Sequence, residues 1–153
     1  MSVRRATVAD ARAICELVNS YAERGLMLHR SLEGVYASLR DFHVAVEQDR
    51  VVGCVAVRVF WSDLAEIKSL AVASTHRRKG LGRTLVETAV ADARLLGVQK
   101  LFALTYEPEF FERMGFTRMD RDALPEKIWR ECIACPKVDA CDEIAMLRTL
   151  DTP

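Results

Sequence analysis

The chain has 153 residues, half of them apolar, which fits one domain able to bury its own core. Lysine plus arginine balances aspartate plus glutamate at 22 each, and that zero net charge excludes a general nucleic-acid binder, whose domain is usually clearly basic. No apolar run reaches the roughly 18 residues of a membrane span, and "MSVRRATVAD" lacks the apolar stretch of a secretory signal, so neither a span nor a leader is expected.

"SVRRATV" predicts a first strand. Thr7 with Asp10 three residues on has the pattern of a capping box that opens a helix. Ala11, Ile14, Leu17, Val18 and Tyr21 then recur at helical spacing, and Gly25 is placed to stop the helix. "LMLHRS" reads as a connector, with Ser31 capping a short helix, "LEGVYASLR". "FHVAVEQ" and "VVGCVAVRVFW" predict two strands, joined as a hairpin by the polar turn at "QDR". "AEIKSLAVAS" is a further strand, and "STHRRKGLG" leads into a long helix with an apolar stripe of Leu85, Val86, Ala89, Ala93 and Leu96. Gly97 ends that helix. "KLFALTY" is the next strand, and Pro108 suits the first turn of the helix "PEFFERM". After Gly115, "FTRM" is a strand, "LPEKIWREC" a helical turn or two, and "EIAMLRTL" a last strand. This order predicts a single α/β (α+β) domain over residues 1–153, a mixed, mostly antiparallel sheet flanked by helices.

The densest charge lies in "STHRRKGLGRTL", residues 74–85. A P-loop needs Gly, four residues, then Gly-Lys-Ser/Thr, and that is absent. A dinucleotide fingerprint needs a third glycine where Leu85 stands. What remains is Arg77-x-x-Gly80-x-Gly82 after a strand and at the start of a helix. Free N–H groups and the positive end of the helix dipole suit an anion there. Glycines let it approach, and Arg77, Arg78, Lys79 and Arg83 add charge for a diphosphate or phosphate. A solvated basic helix start is the plainer alternative.

"EIKSLAVAS" followed by "THRRKGLGRTLV" resembles the acetyl-CoA motif of the GNAT family of N-acetyltransferases, and "PEFFERMGFTRM" resembles that family's later helix-to-strand segment ending in Gly-Phe. The resemblance covers nearly the whole chain in element order. It implies transfer of an acetyl group from acetyl-CoA to an amine. It also implies that the N–H groups from Arg78 through Lys79, Gly80 and Leu81 to Gly82 bind the diphosphate. The backbone of Leu70, Ala71 and Val72 would pair with the pantetheine arm like an added strand, and an N–H near Val72 would face the thioester oxygen. More narrowly, "GLMLHRSLE", "EIKSLAV", "KLFALTYEPEFFERMGF" and "LPEKIW" are similar, in order, to the acetyltransferase domain of N-acetylglutamate synthases. The kinase-like domain of the long forms has no counterpart here, so arginine feedback is not implied.

That resemblance assigns Glu66, at the start of its strand, as general base toward an ammonium substrate; an ordinary edge carboxylate is the alternative. Arg30 would offer its fork of donors to a substrate carboxylate, with Leu28 adding a backbone contact. Lys68 shares a strand face with Glu66 and would either neutralise an acidic substrate or pair with Glu66. Many family members protonate the leaving thiolate with a tyrosine, for which this chain has Phe111. N-acetylglutamate synthases also lack it. Thr105 is the candidate hydroxyl, Tyr106 a second, and a CoA thiolate also leaves tolerably unaided.

Cys15 and Cys54 sit among apolar neighbours, while Cys132, Cys135 and Cys141 cluster near the end, where half a zinc site, a reversible disulfide and packed thiols are all open readings. No metal is expected, and a reducing cytoplasm is the simplest setting. The acceptor follows the narrower resemblance as L-glutamate, with glutamine, another amino acid or another amine as alternatives. A non-catalytic acyl-CoA sensor is a further alternative. A homodimer is an expectation no residue specifies, and no nucleic-acid or membrane partner is expected.

Overall fold

A computed structural model describes residues 1–27, 29–77, 79–124 and 143–150. The N-terminal strand, β1 (Ser2–Arg5), leads to Thr7, whose N–H donates to the Asp10 carboxylate at 2.7 Å in the expected capping box. Arg4 grips the same carboxylate through both guanidinium nitrogens, at 2.7 and 3.0 Å, and holds it below its ordinary pKa. A turn of 3-10 helix runs straight into α1 (Ala11–Ala22), which buries Ala11, Ile14 and Val18. Gly25, at φ +72°, turns the chain away. Ser31 caps α2 (Leu32–Ala37) by accepting the Gly34 N–H at 3.0 Å.

β2 (Phe42–Glu47) and β3 (Arg50–Trp61) form the expected hairpin. Only Gln48 and Asp49 lie between them, at φ +51° and +62°. Positive φ at both central positions is the arrangement of a type I′ turn, which favours Asn-Gly. Replacing Gln48-Asp49 with Asn-Gly should therefore stabilise the fold by about 1 kcal/mol, read as a higher urea midpoint at unchanged slope.

β4 (Leu64–Val72), α3 (Leu81–Leu96), β5 (Lys100–Thr105), α4 (Pro108–Arg113), β6 (Thr117–Met119) and β7 (Ile144–Thr149) complete the described chain. The seven strands form one sheet in the order β1-β2-β3-β4-β5-β7-β6, with only β4 and β5 parallel. This matches the expected mixed, mostly antiparallel architecture. The segment "LPEKIWREC" beyond Leu124, and Cys132, Cys135 and Cys141, lie outside the described residues.

One sheet face packs on α3 and α4. Ala45, Val55, Val57, Ala65, Ile67, Leu101 and Ala103 meet Leu81, Leu85, Val86, Ala89 and Phe111 there. The other face carries α1 and α2, with Val44, Cys54, Ala56 and Ala71 against Ile14, Val18 and Val35. The α3 stripe differs from expectation at one end. Leu96 is 52% exposed, and Val90 is buried in the stripe. Leu96 belongs to the last turn, just before Gly97 at φ +84° directs the chain toward β5, so it never reaches the sheet.

β4 departs from regular pairing in two places. Its pairing with β5 stops at Glu66 opposite Phe102, yet β4 runs on to Val72 and β5 to Thr105. The two strands part beyond Glu66. Against β3, the register slips between Cys54–Ala71 and Ala56–Lys68, so Ser69 and Leu70 share the place of one residue. This is a β-bulge, with Ser69 at φ +53°. It reverses the alternation: Ala71 turns to the α1 side, while Leu70 and Val72 pack on the α3 side.

Candidate active site

The donor side of the site begins where α3 starts. Gly80 caps the helix at φ +78°, a conformation an L side chain adopts only under strain. Thr84 N–H donates to the Gly80 carbonyl at 3.1 Å. The first-turn amides of a helix have no acceptor within the helix itself, which suits them to an outside anion. Leu81 buries its side chain in the core, so only its backbone is available. A Cβ on Gly53 would lie 2.9 Å from Leu85 and 3.3 Å from Leu81, so Gly53 lets the start of α3 settle close on β3. A Cβ on Gly82 would meet the Phe110 ring at 3.5 Å.

Of the basic loop residues, Arg77 and Lys79 are exposed. Arg77 rests its guanidinium on the Tyr21 ring, 4.9 Å from the centroid. Arg83 pairs with Glu87 one turn on, at 3.0 Å. Arg78 lies outside the described residues. His76 Nε2 bonds the Glu47 carboxylate, which ties the loop to the end of β2 and holds Glu47 below its ordinary pKa.

The parted edge of β4 faces the gap. Ala73 N–H donates to Val52 at 2.8 Å, and Ala71 stands opposite Cys54. By antiparallel alternation Ala71 spends its backbone groups on β3, whereas Val72 turns its own away from it. The expectation that Leu70, Ala71 and Val72 alike offer their backbone to a ligand is thus corrected at Ala71. The Tyr21 hydroxyl reaches Val72 from α1, donating to its carbonyl at 2.6 Å and accepting its N–H at 3.3 Å. In the sequence Tyr21 is one residue of an apolar helix face, and nothing local marks its contact with a residue so distant in the chain.

Glu66 sits where β4 and β5 part and is 7% exposed. By alternation its side chain lies on the α1–α2 face, and half-buried Lys68 shares that face. Arg30 is built in from both ends. Its N–H donates to Asn19 Oδ1 at 2.8 Å, and its carbonyl accepts from Asn19 Nδ2 at 2.9 Å. One guanidinium nitrogen donates to Ser69 Oγ and another to Ser38 Oγ, each at 2.8 Å, and the guanidinium carbon lies 5.2 Å from the Phe42 ring centroid. Arg30 is therefore no ordinary surface arginine. It is fastened to the bulge beside Lys68. Leu28 lies outside the described residues.

Asp41 stands near this cluster. Burial pushes its carboxyl up, against the pull of Arg58, Arg30 and Lys68. Asp41 and Arg58 were not among the residues singled out from sequence. Thr105 ends β5 across the gap, 9% exposed, with its hydroxyl accepting the Glu107 N–H at 2.8 Å. A hydroxyl used as acceptor still has its proton to give. Among the described residues, no group of three or more His, Cys, Asp or Glu side chains is arranged to hold a metal ion, and no helix is long and apolar enough to cross a membrane.

Cys54 lies beneath the bulge, its thiol donating to the Ser69 carbonyl at 3.3 Å. Burial pushes its pKa up to about 12, so at pH 8 it stays a thiol, and the thiolate is the reactive form. The Cys54 peptide should remain unlabelled by iodoacetamide in the folded chain and become labelled on denaturation. Rapid labelling without unfolding would contradict this placement.

A helix start suited to an anion thus lies beside a parted sheet, with a buried carboxylate at the fork. The chain belongs to the Acetyltransferase (GNAT) family, whose model matches residues 12–116. It is an acetyl-CoA-dependent N-acetyltransferase. It is 48% identical over 148 residues, 97% of its length and 96% of the relative's, to an uncharacterised N-acetyltransferase of Chlorobaculum tepidum. It is 39% identical over 132 residues, 84% of its length and 75% of the relative's, to an amino-acid acetyltransferase of Mycobacterium tuberculosis. The solved structure of N-acetylglutamate synthase from Neisseria gonorrhoeae, complexed with coenzyme A and N-acetyl-glutamate, matches with a TM-score of 0.90 at 29% identity. That match covers 98% of this chain and 35% of the Neisseria chain, so the likeness is to one part of a longer enzyme.

Proposed function

We propose that the chain moves the acetyl group of acetyl-CoA to the α-amine of L-glutamate, the reaction that commits glutamate to arginine synthesis. The observation that carries this reading is the fastening of Arg30 to the β4 bulge, on the side of the sheet where Lys68 and buried Glu66 lie. A dicarboxylate acceptor needs two cationic contacts, and a guanidinium held by its neighbours loses little freedom on taking a carboxylate. The amino-acid acetyltransferase of Mycobacterium tuberculosis and the Neisseria structure with N-acetyl-glutamate support the same reading.

In this account acetyl-CoA supplies the thioester carbonyl that is attacked. Arg77, Arg78, Lys79 and Arg83, with the amides of Gly80, Leu81 and Gly82, hold its diphosphate. The outward backbone of Leu70 and Val72 lines the pantetheine arm, and a β4 N–H there steadies the developing oxyanion. Arg30, Lys68 and the backbone at Leu28 orient the amino acid. Glu66 takes a proton from the ammonium, directly or through water, and the freed amine attacks. The N–C bond forms, the C–S bond breaks, and the second proton lost by the nitrogen passes to the departing thiolate, which meets a hydrogen bond from Thr105.

The test is kcat/KM for CoA release with L-glutamate, L-glutamine, L-aspartate and spermidine. Glutamate should lead and spermidine should be inert, because a triamine finds cations where it needs carboxylates. A preference for glutamine would move the assignment to the neutral amino acid. Turnover of spermidine alone would overturn it.

A further inference from the structure

Val72 stands opposite Gly53 in the β3–β4 register, next to Ala73, whose N–H goes to Val52. Its own N–H and carbonyl therefore point away from β3. One side chain meets both of them. The Tyr21 hydroxyl gives its proton to the carbonyl at 2.6 Å, and its oxygen accepts the N–H at 3.3 Å. A backbone residue has a single proton to donate. An arm that pairs with β4 like an added strand needs that proton, so the arm and the Tyr21 hydroxyl compete for it. The same ring carries Arg77, whose guanidinium carbon lies 4.9 Å from its centroid. Tyr21 belongs to the last turn of α1, and its carbonyl accepts the N–H groups of Arg24 and Leu26, each at 3.1 Å. The helix end is thus tied down, and the side chain can turn to another rotamer without unwinding it.

We propose that Tyr21 sets the affinity of the donor site: the pantetheine arm takes the Val72 N–H only by displacing the Tyr21 hydroxyl, and the ring, in turning aside, releases Arg77 to the diphosphate. The inference rests on the reading that the arm pairs with the outward backbone of β4. Its sign follows from the competition. The bonds between Tyr21 and Val72 are given up when the arm binds, so they count against affinity, and removing the hydroxyl tightens binding. The stack of Arg77 on the ring counts the same way toward the diphosphate. One side chain thereby couples the two halves of the carrier, which reach β4 and the start of α3 at separate places. Phenylalanine at this position keeps the ring and its stack and removes the hydroxyl alone, whereas leucine removes both, so the two contributions separate.

The experiment titrates coenzyme A, which carries the arm, and adenosine diphosphate, which does not, into the wild type, Tyr21→Phe and Tyr21→Leu, and follows exchange of the Val72 amide by NMR. Tyr21→Phe should bind coenzyme A about fivefold more tightly, the factor that one net hydrogen bond supplies. Its affinity for adenosine diphosphate should stay put. Tyr21→Leu should also tighten adenosine diphosphate, by about threefold, as a stacked cation is freed; no change there overturns the coupling to Arg77. Before ligand is added, the Val72 amide should exchange faster in Tyr21→Phe than in the wild type, and coenzyme A should slow it again. Unchanged or weaker coenzyme A binding, with a Val72 amide that coenzyme A does slow, overturns the role of Tyr21 and leaves the pairing of the arm in place. A Val72 amide that coenzyme A never slows in Tyr21→Phe removes the pairing itself, and the inference with it. If Tyr21→Phe does not fold, the wild type decides: coenzyme A should shift the Tyr21 ring resonance further than adenosine diphosphate does, and equal shifts overturn the proposal.

Discussion

Glu66→Gln is expected to lower kcat by about 10²–10⁴-fold, the range by which a positioned base accelerates proton transfer. KM for acetyl-CoA should remain close to that of the wild type. Glutamine keeps the volume and the hydrogen-bonding capacity of the side chain, so the packing around Phe102 should survive. The loss should also shrink as pH rises, because at high pH more of the acceptor arrives as free amine and needs no base. Equal damage to acetyl-CoA binding and turnover, together with a lower melting temperature, would make Glu66 structural.

Arg30→Ala should have the second large effect, a loss of about 10²-fold or more in kcat/KM for glutamate, as when one partner of a desolvated ion pair is removed. The loss should fall on the acceptor's KM. It will carry a structural component, since Ser38, Ser69 and Phe42 lose their contacts with the guanidinium. Arg30→Lys separates the two components. It keeps the charge but cannot reach both serines with a planar fork. Recovery of thermal stability without recovery of glutamate KM would show that the fork itself serves the acceptor. Equal losses toward glutamate and acetyl-CoA would show that Arg30 only braces the bulge.

Local signals were enough to locate most elements. Thr7 and Asp10 cap a helix because a carboxylate three residues on can reach back to a free N–H, and the chain states this in four letters. Gly25, Gly97 and Gly115 mark helix ends because each takes positive φ. The Gly80 loop was legible for the same reason, together with its charges. The bulge was not. "EIKSLAV" carries no glycine at Ser69 and reads as an unbroken strand, so the reversal that separates Ala71 from Val72 is set by pairing with β3, a long-range event. The parting of β4 from β5 was hidden likewise, since parallel pairing leaves no local turn to read. Arg30 showed its chemistry in sequence but not its fastening, which comes from Asn19, Ser38 and Ser69 on three other segments.

The central claim is that this site acetylates the α-amine of glutamate. Purified chain, acetyl-CoA and L-glutamate should yield CoA and N-acetyl-L-glutamate in equal amounts, with the acetyl group located on the α-nitrogen by mass spectrometry and NMR. The yield should collapse in Glu66→Gln. Acetyl-CoA consumption that leaves glutamate unmodified, or an acetylated product formed equally well by Glu66→Gln, would contradict the account.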